Sequence, residues 1–125
     1  MLGSHDTAAT VAVKDLAAAK QFYGETLGLE QIGGDGEEAV VYKTGASRLV
    51  VYRSQFAGTN HATAVNWSTG KDIDGIVKEL SSKGVAFEHY DMPGLSREGD
   101  VHVAGTMRIA WFKDPEGNIH SLMSG

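Results

Sequence analysis

One order of elements occurs twice in this chain, and that repetition constrains the fold more than any single motif. Thr7 to Val13, TAATVAV, alternates as a strand with Ala9, Val11 and Val13 on one face and Ala8, Thr10 and Ala12 on the other. Asp15 then offers a helix N-cap, and Leu16, Ala19, Phe22, Tyr23 and Leu27 follow at helical spacing until Gly28. Gly33, Gly34 and Gly36 mark a turn, after which EEAVVYKTG and SRLVVYRSQ read as two strands joined around Gly45. The pattern then restarts. HATAVNW over 61–67 is a strand, 71–84 is a helix striped by Ile73, Ile76, Val77 and Leu80, and VAFEHY (85–90), TMRIAWF (106–112) and 118–123 are strands.

Asp15-Leu16 against Asp72-Ile73, and Gly28 against Gly84, set the two copies about 57 residues apart. Half a chain of this size is marginal alone, but two halves can cover their sheets with helices on one side and curve around a cavity on the other. The expected fold class is therefore α+β: one domain over 1–125, built of two βαβββ modules with mixed curved sheets, about 1–58 and 59–125.

Composition narrows the function classes. With no cysteine there are no disulfides, thiolate metal sites or Cys nucleophiles, which suits a cytoplasmic location. No apolar run is long enough to span a membrane, and Met1 to Thr10 lacks a basic segment followed by an apolar one. The net charge of −5, with Lys and Arg scattered, argues against nucleic acid and leaves room for a cationic small ligand.

No motif for nucleophilic catalysis or phosphate binding stands out: there is no GxSxG elbow, and GGDG (33–36) and GASR (45–48) lack the P-loop lysine. The five histidines, His5, His61, His89, His102 and His120, show no HxH or HExxH spacing, so each taken singly reads as a surface or internally satisfied residue. Asp114-Pro115 with Gly117-Asn118 reads as a turn between the last two strands. Tyr42, Tyr52, Trp67, Tyr90, Trp111 and Phe112 fall in strands, where rings can line a ligand cavity. Trp67 shares the face of Thr63 and Val65 and is expected to pack toward the second helix, with Ala64 and Asn66 pointing the other way.

Two stretches carry a resemblance. VKDLAAAKQFYGETLGLE over 13–30 contains D-L-x-x-A-x-x-F-Y-x-x-x-L-G-L, and WFKDPEGNIHSLM over 111–123 contains F-x-D-P-x-G-N. In this order, on a doubled βαβββ pattern, they resemble the vicinal oxygen chelate superfamily of glyoxalase I, extradiol dioxygenases, fosfomycin-resistance enzymes and bleomycin-resistance proteins. The resemblance implies a cup completed in a homodimer and, in members with chemistry, a divalent metal acting as Lewis acid. The family's ligand positions fall here on Ala8, Ala62 and Ser121, none of which is a good metal ligand. A one-residue slip would instead bring His61 or His120 to two of these places while exchanging the strand faces.

The expected protein is thus a metal-free, cofactor-free homodimer, akin to the bleomycin-resistance members linked to antibiotic resistance. It would hold a small cationic or aromatic molecule in a cleft where subunits meet, lined by Ala8, Thr10, Tyr42, Tyr52, Ala62, Ala64, Asn66, Trp111 and Ser121 under a lid at 91–105. No catalytic residue is assigned. The rival is a metal-dependent lyase, isomerase or dioxygenase using unorthodox ligands among His5, His61 and His120, and a third reading is a scaffold whose cup is filled by its own side chains.

Overall fold

The structure is a computed structural model that describes residues 1–124. It divides into two compact units, Met1–Ala64 with Pro115–Asn118, and Val65–Asp114 with Ile119–Gly125.

In the first unit, strand β1 (Ala9–Val13) leads through Asp15 into helix α1 (Leu16–Lys20), followed by β2 (Glu30–Gly33), β3 (Ala39–Thr44) and β4 (Ser47–Arg53). The expected N-cap is in place, with Asp15 Oδ1 accepting from the Ala18 amide at 3.1 Å. The helix does not stay regular. From Gln21 to Thr26 it widens, and the Leu27 amide reaches back five residues to the Phe22 carbonyl at 2.8 Å before Gly28 ends it at φ +71°. Such a widening leaves the apolar stripe of α1 intact, which is why helical spacing alone does not announce it.

The sheet order is β1-β4-β3-β2, with β1 parallel to β4 and the remaining pairs antiparallel. Pairing of Val11 with Val51 and of Val40 with Val51 gathers one face, and Val11, Val13, Val40, Leu49 and Val51 on it are each at most 2% exposed. Leu16, Ala19 and Tyr23 of the helical segment are also buried. Asn118 adds a tie that turn chemistry does not foretell: its side-chain amide donates to the Ala12 carbonyl at 2.8 Å.

The second unit repeats this logic. Strand β5 (Thr63–Ser68) precedes helix α2 (Ile73–Ser82), then come β6 (Phe87–Glu88), β7 (Ser96–Glu98), β8 (Val101–Ala104), β9 (Met107–Lys113) and β10 (Ile119–Met123). The order β5-β10-β9-β8 matches β1-β4-β3-β2, first strand beside last and the middle strands following in reverse, so the internal repeat is real at the level of topology. Ile73, Val77 and Leu80 bury the predicted stripe of α2.

Segment 91–105 differs from expectation. It is not simply a lid loop: β7 and β8 form an antiparallel hairpin within it, with Arg97 opposite His102, and extend the sheet beyond β9. Its short apolar and charged residues alternate too briefly to read as strands before their partner β9 is known. No helix among the described residues is long and apolar enough to cross a membrane.

Candidate ligand-binding face

Strand pairing in the second unit gathers polar and aromatic side chains on one side. Ser121 lies opposite Trp111, Glu88 opposite Trp111 on its other flank, and His102 opposite Ile109, so all four project to the same face of the sheet. Asn66 joins them, because the Ser121 hydroxyl, on a residue only 4% exposed, donates to Asn66 Oδ1 at 2.8 Å. Lys113 is on this face as well and forms an ion pair with Glu88 at 3.2 Å. The opposite face is the core. There Phe112 stacks on His120 with centroids 4.9 Å apart, and the Trp67 indole donates to His120 Nδ1 at 3.0 Å. Trp67 and Asn66 therefore point to opposite sides, as alternation predicts.

The hydrogen bond from Trp67 requires an unprotonated Nδ1, which makes His120 a neutral imidazole. Burial, only partly opposed by the Asp114 carboxylate, pushes its pKa down to about 4. His102, 1% exposed, is held differently: its Nε2 accepts from the Tyr90 amide at 2.9 Å, so the proton of the neutral ring sits on Nδ1. That nitrogen is buried without a hydrogen-bond partner of good geometry among the described residues. Desolvation lowers the His102 pKa, against the pull of the Ile109 backbone across the ladder.

Around His102 the rings of Trp111 (4.8 Å, 77°) and Tyr90 (6.2 Å, 29°) form an aromatic wall. At its rim His89 Nε2 meets Asp100 at 2.7 Å while Nδ1 meets Arg97 Nη1 at 2.8 Å. Arginine can only donate, so Nδ1 accepts and the Nε2 proton goes to Asp100. Neither His89 nor His102 was readable as part of a site from spacing alone; what links them is the β7–β8 hairpin, absent from the one-dimensional pattern.

In the first unit, Thr10 pairs with Val50 and Ala12 with Tyr52, placing Thr10 and Tyr52 on the face opposite the core, where Tyr52 is 40% exposed. Ala8 immediately precedes β1. Tyr42 departs from the expected lining. It pairs with Leu49, is 2% exposed, and stacks on Tyr23 at 6.0 Å, so it belongs to the core, where burial raises its hydroxyl pKa. Ala62 sits in the bend before β5 with its amide on Asn60 Oδ1 at 3.0 Å, and Ala64 is exposed in β5 in phase with Asn66.

These residues can be tested against the metal that the resemblance implies. Ala8 and Ala62 have no donor atoms, and the Ser121 hydroxyl is engaged by Asn66. The slipped register is not adopted: Ser121, not His120, shares the face of Trp111, and His120 has its Nδ1 turned into the core. Among the described residues no three His, Asp or Glu side chains gather as a ligand set. The residues at the family's ligand positions do not fit a divalent ion.

Comparison with known proteins bears on the fold that carries this face. An integron cassette protein from the mobile metagenome of the Halifax Harbour sewage outfall superposes with a TM-score of 0.71 at 20% identity, covering 98% of this chain and 99% of that one. Lactoylglutathione lyase from Agrobacterium tumefaciens gives 0.71 at 18% identity, covering 96% and 92%. A variant of the fosfomycin resistance protein FosX from Listeria monocytogenes, complexed with Mn(II) and 1S,2S-dihydroxypropylphosphonic acid, gives 0.69 at 18% identity, covering 98% and 90%. Likeness at these identities establishes the architecture rather than the chemistry. No curated protein matches the chain by sequence. The doubled βαβββ topology agrees with a family-model match over residues 6–121, and the chain belongs to the Glyoxalase/Bleomycin resistance protein/Dioxygenase superfamily.

Proposed function

We propose that this protein is a metal-independent small-molecule-binding member of the superfamily. It acts as a cytoplasmic homodimer that holds a small cationic or aromatic ligand in a cleft where subunits meet. The observation that carries this reading is the Ser121–Asn66 hydrogen bond: where the resemblance expects a carboxylate ligand, a neutral hydroxyl is tied to a neutral amide beside Trp111. Ala8 and Ala62, at the other two expected positions, are too small to donate and leave room for a guest. Trp111 offers a ring face to a flat or cationic group, Thr10, Asn66 and Ser121 offer hydrogen bonds, Tyr52 offers both, and Ala64 adds space.

The test is a thermal-shift screen of chelator-treated protein against cationic and aromatic molecules, followed by mass spectrometry of whatever binds. A ligand at a hundred times its Kd stabilises by about 2.7 kcal/mol. It should be recovered chemically unchanged and lose affinity in Trp111→Ala. Metal-dependent conversion of the molecule would overturn the proposal.

A metal-dependent lyase, isomerase or dioxygenase is the second reading, favoured by the fold likeness to lactoylglutathione lyase and to a Mn(II)-bound resistance protein. It requires donors other than Ala8, Ala62 and Ser121.

A further inference from the structure

The first unit carries a concave groove of about 490 Å³ on a different part of its surface, lined by Lys14, Glu38, Arg53, Ser54 and Gln55. Its position follows from strand direction. Because β1 and β4 run parallel with Val13 opposite Arg53, their carboxyl ends emerge side by side. The Ser54 amide on the Val13 carbonyl (2.9 Å) and the Arg53 amide on the Glu38 carbonyl (2.8 Å) fix the three chain segments against one another. Backbone hydrogen bonds thus join the segments that carry the groove's three charged side chains.

The charge there opposes that of the whole molecule. The chain carries −5, yet this groove sets two cations against one carboxylate. Arg53 Nη1 pairs with Glu38 at 3.3 Å, with the two side chains 52% and 68% exposed. An ion pair that open contributes roughly 0–1 kcal/mol and exchanges readily for a better-placed anion. The Lys14 ammonium has no protein partner among the described residues. Ser54 Oγ accepts from the Phe56 amide at 3.1 Å, which leaves its O–H to donate.

Two groups of backbone amides in this unit are already engaged by carboxylates. The Glu37, Glu38 and Ala39 amides all point at Asp35 Oδ1 (2.8–3.1 Å), the Ala18 amide is taken by Asp15, and the Asp15 amide by Glu116 at 3.2 Å. The chain neutralises its own amide clusters with its own carboxylates. In the groove itself, Lys14 is left without a partner among the described residues and Arg53 is only weakly paired.

We infer that this groove binds a small organic anion, its carboxylate or phosphate group held between Lys14 and Arg53, with Glu38 giving up Arg53 as the anion enters. The guanidinium supplies a two-pronged contact, the ammonium a point charge, and Ser54 and Gln55 neutral donors to the rest of the molecule. The volume suits a metabolite rather than a bare ion. The groove belongs to the first unit and the aromatic wall to the second, and the inference does not depend on the function proposed above.

Isothermal titration and amide NMR of the intact protein, at constant ionic strength held by chloride, test this with citrate and with inorganic phosphate as probes. Saturable binding is expected for at least one of them, with resonances of residues 14 and 53–55 shifting. Lys14→Met and Arg53→Met should each weaken it about tenfold, equivalent to one good charge-assisted contact. Glu38→Gln should tighten it several-fold, because the competing carboxylate is gone. Preference for citrate assigns a polycarboxylate and preference for phosphate a phosphate ester; either supports the site. Absence of saturable binding, affinity unchanged in both Met variants, or weaker binding in Glu38→Gln would each overturn it. All three side chains are exposed, so the variants are expected to melt like the parent protein.

Discussion

Trp67 donates its indole N–H to Nδ1 of His120, 3.0 Å away and 53 residues later, in the core of the second unit. The bond can exist only while His120 is neutral. Protonation would set a second hydrogen between the two nitrogens, on a ring that is 0% exposed.

Acid sensitivity follows from that pair. The folded-state pKa of about 4 lies below the ordinary 6.5, so between these values the unfolded chain binds the proton and the folded one does not. Stability is complete above pH 6.5 and falls progressively toward pH 4, by about 3 kcal/mol at 1.36 kcal/mol per unit. The lowered pKa of His102 acts in the same direction. Urea midpoints at pH 7.5, 5.5 and 4.5 should decline steadily, and His120→Gln should flatten much of that slope. Equal slopes in both proteins would refute the assignment.

The two tyrosines assigned together from sequence should behave as opposites. Tyr42 is packed on Tyr23 in the core, so Tyr42→Ala should cost about 3–5 kcal/mol as a large aromatic cavity. Tyr52 is 40% exposed, and Tyr52→Ala should stay within about 1 kcal/mol of the parent in denaturant unfolding. Under the proposed function, only the Tyr52 change should reach ligand affinity without first lowering stability.

How far sequence reached can be read from these residues. Alternation kept Val11 with Val13 on one face and set Trp67 opposite Asn66, because period 2 holds within a strand. It failed at Tyr42, since AVVY is apolar on both faces and pattern alone cannot choose which one meets the helix. Ser121 stood out only through the family's turn motif. The His102–Trp111–Tyr90 wall and the Lys14–Arg53 groove stayed hidden because each depends on which strands are neighbours, a long-range fact that no local window contains.

Two glycines separate backbone strain from crowding. Gly34 has φ +95°, and a Cβ there would run into the Ala39 carbonyl oxygen and come within 2.7 Å of Val40 Cα. Gly45 has φ +57° with open space around it. Gly45→Ala should cost only the left-handed penalty, about 1–2 kcal/mol, whereas Gly34→Ala should cost clearly more because backbone must move. Thermal melts would show the difference. Similar losses would mean that the 33–38 turn yields easily despite the three amides on Asp35.

Arg108 ties three elements of the second unit, donating to Asp74 of α2 at 2.7 Å and to Glu98 of β7 at 2.5 Å from its place on β9. A two-carboxylate arrangement holds the guanidinium more firmly than a single exposed pair. Both carboxylates are more than 60% exposed, so added salt weakens them. Arg108→Gln should lower Tm by a few degrees, speed amide exchange in the β7–β8 hairpin, and remove much of the salt dependence of Tm. Unchanged exchange over 96–104 would show that β-pairing alone fixes the hairpin.

Restoring the missing carboxylate discriminates between the two functional readings. In Ser121→Glu an acid enters a position only 4% exposed, and its contact with Asn66 is lost. If the remaining donors are absent, nothing compensates the buried charge, and the variant should lose about 1–3 kcal/mol and carry no tightly held divalent metal after dialysis. Lys113, on the same face, is already paired with Glu88 and offers limited relief. One metal per chain with undiminished stability would mean that the other ligands already stand in place, supplied by side chains beyond Ala8 and Ala62, and the metal-dependent reading would then replace the binding one.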